Sequence, residues 1–231
     1  MNNSRCFHRR QDGFSLIEIS VVLVVIGLII GAVSIGKDLQ RNATYQKMNA
    51  VFVQGWQSAY QNYYNRTGLI IGDDSAAPTS QVNQGGVALC GDDLVSEMQQ
   101  AGVSTPTGRA VGRETEYAYL DSNGNPQQVE ICFLNINWAI PDGTGTYVQR
   151  RRNAMTLSGL TPDLARYIDA QIDGRSDARF GQFREQAQAA ATATTTAQPW
   201  SRDNRSEFTG AVSNLDESQV AVLQAYYLMN P

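Results

Sequence analysis

Gly13-Phe14-Ser15-Leu16-Ile17-Glu18 opens a run that stays apolar as far as Gly36. From Phe14 to Gly36 there are 23 residues and one charged side chain, Glu18. Wound as an α-helix, this run is about 34 Å long, enough to cross a hydrocarbon layer of roughly 30 Å. An unpartnered carboxylate at mid-bilayer costs roughly 2.5–3.5 kcal/mol, so an acid held here calls for a partner and a purpose.

The flanks set the orientation. Arg5, Arg9 and Arg10 precede the run, with His8 between them, and the first charge after it is Lys37. Basic residues ahead of an apolar span keep the N-terminus in the cytoplasm. An ordinary secretory signal has a shorter apolar core and a small-residue cleavage site behind it. Neither is present, so the span is expected to stay in the mature chain.

This segment resembles the class III signal of type IV prepilins and type II secretion pseudopilins. There a short basic leader ends in Gly, Phe follows, and Glu is the fifth residue after the cut; here those positions are Gly13, Phe14 and Glu18. The resemblance implies that a membrane prepilin peptidase cuts between Gly13 and Phe14 and methylates the new amine of Phe14. It also supplies the missing partner, since that ammonium can neutralise Glu18 in the same subunit or in a neighbour. The pair would then set the register of subunits entering a filament. The partners implied are prepilin peptidase, other pilin or pseudopilin subunits, an inner-membrane assembly platform and membrane lipid. The implied location is the inner membrane, single-pass with a periplasmic head, and afterwards the pilus or pseudopilus.

Composition narrows the function. Of 18 basic and 22 acidic side chains, the leader takes three and one, leaving 15 and 21, a net of −6. That argues against a general nucleic-acid binder. The single histidine, His8, also lies in the leader. Without it, Ser-His-Asp chemistry and His-ligated zinc are excluded, and the chain reads as a structural protein, not an enzyme. Cys6 would leave with the leader too. Cys90 and Cys132 remain, either as a disulfide in an oxidising compartment or as two buried thiols.

Past the span, Met48, Val51, Phe52, Gly55, Trp56, Ala59, Tyr60 and Tyr63 recur at steps of three and four, which describes an amphipathic continuation of the helix. Gly68 is its expected stop. Gly27 and Gly31 form a weak G-x-x-x-G pattern that would allow close helix approach. Asp92-Asp93 before Leu94, with Gly102 beyond, frame a short helix. Glu116–Leu120 and Gln128–Ile136 read as strands joined by a turn, and Thr146–Arg150 as a third. Thr161-Pro162-Asp163 starts another helix that ends near Gly174. The stretch from Thr161 to Arg184, with the helix ending in Ala101-Gly102-Val103, resembles one group of minor-pilin-like prepilins.

The expected fold is α+β and pilin-like: a long N-terminal helix, half transmembrane and half amphipathic, packed on a small antiparallel sheet with short extra helices. The expected organisation is a leader over 1–13, a filament-core helix over 14–36 and its amphipathic continuation over 37–67. A globular head over 68–184, a low-complexity Ala/Thr/Gln linker over 185–213 and a C-terminal helix over 214–231 complete it. Asp121, Asn123 and Asn125 give an oxygen-rich turn with weak calcium character, lacking the glycine placement and distal Glu of an EF-hand; no other cofactor is implied. Arg150-Arg151-Arg152 is the one basic run. The function expected is a minor pilin or pseudopilin subunit. The alternative is a membrane-anchored binding module, an adhesin or a calcium- or DNA-binding minor pilin.

Overall fold

The computed structural model describes residues 15–108, 113–121, 124–193, 196–200 and 222–230. The chain divides into two units, Met1–Asn42 and Ala43–Pro231. In the first, helix α1 (Leu16–Lys47) begins, and its Leu16–Val33 stretch is long and apolar enough to cross a membrane, with none of it buried within the protein.

Helical hydrogen bonding continues in the second unit through a π-helical turn, Met48–Val53, into α2 (Gln54–Thr67). Gly68 stops it in the left-handed conformation (φ 72°), which glycine adopts without a side-chain clash, and its N–H donates to Tyr64 O at 2.8 Å. The remaining elements are β1 (Leu89–Cys90), α3 (Gly91–Gln100), β2 (Glu116–Leu120), β3 (Pro126–Pro141), β4 (Tyr147–Leu160), α4 (Pro162–Asp173), β5 (Phe183–Glu185), α5 (Gln186–Ala189) and β6 (Leu223–Leu228). All six strands form one antiparallel sheet in the order β1-β3-β4-β6-β5, with β2 beside β1 on the same edge of β3. The arrangement is α+β and pilin-like.

The two faces of the sheet follow from the two-residue repeat of a strand. Odd residues of β3 and β4, among them Ile131, Phe133, Met155 and Leu157, face the main core. There they meet the apolar stripe of the helix: Trp56 and Tyr60 flank Phe133 at ring-centroid distances of 6.2 and 5.2 Å, and Phe52 meets Tyr117 at 5.3 Å. Even residues face a smaller cluster in which Trp138, Ala154 and Tyr226 pack with Ala189 of α5. Each of these buried aromatic side chains contributes roughly 1.5–3 kcal/mol of transfer free energy.

Two expected elements differ. The C-terminal residues 223–228 form a strand where 214–231 was expected to be a helix, and residues 214–221 lie outside the described residues. β6 sits between β4 and β5 and is covered on both faces, so Leu-Gln-Ala-Tyr-Tyr-Leu is apolar at both parities. A short run of that kind matches helical spacing as well as strand spacing. Nor is 185–213 a free linker throughout. Glu185 ends β5, Gln186–Ala189 is a helical turn, and Ala189 and Trp200 are buried. The alanines here serve through their size and their carbonyls: Gln149 Nε2 donates to Ala190 O at 2.8 Å and Arg179 Nη2 to Ala191 O at 3.0 Å.

Gly159 marks an irregularity in β4 where its pairing to β6 shifts. Its φ is +83°, and a Cβ there would lie 1.9 Å from Gln128 O. Gly174, at φ +74°, has open space around it. Gly159→Ala is therefore expected to lower unfolding free energy by about 3 kcal/mol or more, and Gly174→Ala by about 1 kcal/mol. Urea unfolding of the full chain in detergent, followed by circular dichroism, measures both.

Candidate functional site

Gly13 and Phe14 lie outside the described residues. Ser15 is the first described residue and caps α1: its Oγ accepts from Glu18 N at 3.2 Å and its carbonyl accepts from Ile19 N at 3.2 Å. Glu18 thus stands at the third helical position, in the first turn, where unpaired N–H groups and the helix dipole favour a negative charge. Ser15-x-x-Glu18 has the spacing of a capping box, a signal present in the sequence and not used in reading it. Around the acid the surface is apolar and open, with Leu16 at 92% and Ile17 at 74% exposure. An exposed apolar cylinder bearing one carboxylate in its first turn can do two things chemically. It can bury its apolar side chains in lipid or against copies of itself, and it can pair with one cation presented at the same depth.

In the head, Cys90 and Cys132 form a disulfide across the β1–β3 ladder, where they are register partners. The bridge closes a 42-residue separation, worth roughly 4 kcal/mol in the chain-entropy account. It ties the loop after α2 and the start of α3 to the long strand β3.

Asp121 uses its carboxylate within its own turn. It accepts from Asn125 N at 2.8 Å and from Asn125 Nδ2 at 3.2 Å, while its N–H donates to Asn125 O at 3.0 Å. Asn125 thus closes the turn by donating to Asp121 from both its backbone and its side chain. Asn123 lies outside the described residues. Among the described residues no three or more His, Cys, Asp or Glu side chains gather in a metal-binding group.

The densest electrostatic arrangement lies at the C-terminal end of α4 and just beyond it, where acids recur every four residues. Asp169 is fully buried, and its Oδ2 accepts from Asp177 N at 2.7 Å and Trp200 Nε1 at 2.9 Å. Asp173 accepts from Gln182 N and Phe183 N, each at 2.9 Å, and Asp177 accepts from Arg179 N and Phe180 N, each at 2.8 Å. Three carboxylates thus hold the backbone of 177–183 in place of a sheet or helix ladder. Burial pushes the Asp169 carboxyl up to about 7; the Trp200 and Asp177 donors oppose this, and the charges of Asp173 and Asp177 reinforce it. Nearby, Arg184 lies over the Trp138 ring at 4.2 Å and donates to Ala139 O at 2.8 Å. Burial lowers its pKa to about 10.

Residues 8–34 match the family described as the prokaryotic N-terminal methylation motif. This supports a class III signal protein of the pilin or pseudopilin type, and it points to a structural protein more than to an enzyme. No curated protein and no solved structure matches the chain.

Asp169 binds its proton more tightly folded than unfolded between its ordinary carboxyl range and about pH 7. The native state then holds more protons than the unfolded state, so this group makes stability fall as pH rises through that window and level off above it. Asp169→Asn keeps an oxygen for Trp200 and Asp177 and removes the charge. It is expected to flatten that fall and to raise stability by about 1–3 kcal/mol at pH 8. Urea unfolding at pH 4.5, 6 and 8 provides the comparison.

Proposed function

We propose that the chain is a minor pilin or pseudopilin, processed between Gly13 and Phe14 and assembled into a type IV pilus or type II secretion filament through its N-terminal helix. The observation that carries the reading is the match at residues 8–34 coinciding with an exposed apolar helix whose one early charge is Glu18. In the membrane the precursor is held by this helix with its basic leader in the cytoplasm. Removal of the leader creates an ammonium at Phe14, four residues ahead of Glu18.

That ammonium matters because Glu18 is costly in lipid and equally costly in a filament interior made of other apolar helices. A neighbour's Phe14 amine placed at the depth of Glu18 cancels the charge, and an axial slip leaves both ions unpaired. Charge pairing then selects the stagger, while burial of apolar side chains supplies the association energy. The head, closed by its disulfide, suits an extracytoplasmic compartment.

Glu18→Ala and Glu18→Val are expected to leave the precursor in the membrane and to lower its recovery in sheared filaments at least tenfold, as read by immunoblot of both fractions. Normal recovery would remove the proposed role of the charge. Mass spectrometry of the mature N-terminus is expected to give methylated Phe14; a cellular chain that keeps Met1–Gly13 would overturn the reading.

A further inference from the structure

Arg184 of β5 is a buried cation with no anion against it. It is 7% exposed, and it keeps its charge at neutral pH although burial lowers its pKa to about 10. Its Nε donates to Gly181 O at 3.0 Å, and its Nη1 donates to Ala139 O at 2.8 Å and Ala189 O at 3.5 Å. The guanidinium lies over the Trp138 ring at 4.2 Å. Every one of these partners is neutral. Among the described residues Nη2 has no partner, and no carboxylate pairs with the group. Asp173 and Asp177 act on it only through space, and their oxygens accept from backbone N–H groups. Buried charges are ordinarily paired, so this one leaves room for an anion.

Two more cations stand on the same face. Arg184 is the register partner of Tyr226, Tyr226 of Thr156 and Thr156 of Cys132, so its side chain has the even parity of β3. On that face Arg150 stands directly opposite Trp138, and Arg152 follows one strand repeat, about 7 Å, further along β4. Trp138 therefore has Arg184 over its ring and Arg150 across the ladder. Arg150 and Arg152 are exposed, and among the described residues neither has a hydrogen bond or an ion pair. Their neighbours on β3, Ile136 and Ile140, are apolar. The acids of this face are remote or engaged. Glu130 lies eight residues along β3 from Trp138, about 27 Å, and Asp142 accepts from the Thr144 and Thr146 hydroxyls. The unit Ala43–Pro231 has 13 basic and 19 acidic side chains, so three unneutralised guanidinium groups beside one ring run against the charge of the whole.

We propose that Arg184, Arg150 and Arg152 form an oxyanion site that takes a phosphomonoester, the dianionic phosphoryl group at the end of a small molecule or a lipid. The buried Arg184, held flat on Trp138, presents Nη2 in a fixed direction, and the two exposed arginines close over the group from β4. A phosphomonoester carries close to two charges and three strong acceptor oxygens, enough for several guanidinium forks. A carboxylate or a phosphodiester brings one charge and leaves two cations unmatched. Long polyanions such as duplex DNA meet the acidic remainder of the head. The site lies wholly within the head and stands apart from filament assembly.

Calorimetric titration of the full chain in detergent at low salt tests it, with three probes: glycerol 3-phosphate, phosphatidic acid in the micelle, and the diester dimethyl phosphate. Saturable one-site binding of a phosphomonoester is expected. Binding of glycerol 3-phosphate assigns the site to soluble esters, and binding of phosphatidic acid alone assigns it to a lipid headgroup. No saturation by either below about 10 mM, or equal binding of the diester, overturns the proposal. Arg150→Gln is expected to weaken binding at least fivefold, and Arg150→Gln/Arg152→Gln at least tenfold. Arg151→Gln removes the same charge from the opposite face and is expected to change binding less than twofold. An equal loss in Arg151→Gln, or no loss in the Arg150/Arg152 pair, overturns the proposal. Arg184→Lys keeps the charge and removes the fork, and it is expected to weaken binding at least tenfold. Because Arg184 also packs on Trp138, the exposed pair decides the matter if that variant loses its native circular dichroism.

Discussion

Because successive side chains of a strand point to opposite sides, the pairing of β3 with β4 from Glu130 to Pro141 decides what each face of the head can do. One parity supplies Ile131 and Phe133 to the core under α2. The other supplies Trp138 to the smaller cluster and sets out the charges of the outer face. A slip of one residue would turn Glu130 into the core and Phe133 out of it. The Cys90–Cys132 bridge pins the same strand covalently, and the clamp of Trp56 and Tyr60 about Phe133 pins it by packing.

The N-terminal helix works by the opposite arrangement. In the head, buried polar side chains such as Asp169 and Asn135 have hydrogen-bond partners. In Leu16–Val33 apolar groups are exposed without a protein partner, and the acid of the first turn has no cation against it among the described residues. Exposure on this scale is stable only in lipid or against other apolar helices. Ser15 satisfies backbone donors of the first turn, so the demand left by Glu18 is one of charge, and cleavage after Gly13 would create an ammonium suited to it.

Much of this was legible because local signals agreed with tertiary structure. The three-and-four spacing from Met48 to Tyr63 marked the buried stripe, Gly68 marked its end, and Thr161-Pro162-Asp163 with Gly174 framed α4. The alternation within Glu116–Leu120 identified β2. β3 and β4 run longer than their clearest patterns because Asn135 and Asn153, which interrupt the apolar parity, are buried and satisfied in part by each other: Asn135 Nδ2 donates to Asn153 Oδ1 at 2.8 Å. The C-terminal strand misled because a strand covered on both faces has no polar parity. The Ala/Thr/Gln tract misled because composition reports which side chains lack apolar bulk, and this segment binds through backbone carbonyls instead. Of the candidate assembly residues, Glu18 stood out as the one charge in 23 residues, whereas Asp169 was hidden among many acids. Only its four-residue spacing from Asp173 and Asp177 pointed to a common task.

That task explains why residues 177–183 keep a fixed path with so little regular structure. A loop crossing a sheet edge carries N–H groups that burial would otherwise leave unpaired, at a cost of about 1–3 kcal/mol each. Asp173 and Asp177 take those donors at Arg179, Phe180, Gln182 and Phe183, and Asp169 takes Asp177 N. Gly181 is the point of closest approach, since a Cβ there would fall 2.3 Å from Asp173 Oδ2. Placing a buried acid beneath two others raises the cost of ionising it, and Trp200 offsets part of that cost through its indole N–H while its ring packs on Phe183 at 5.4 Å. The carboxylates therefore replace a missing strand partner: they trade a ladder of amide bonds for charged acceptors, and the residual electrostatic strain falls on Asp169, the member of the set with the least water around it.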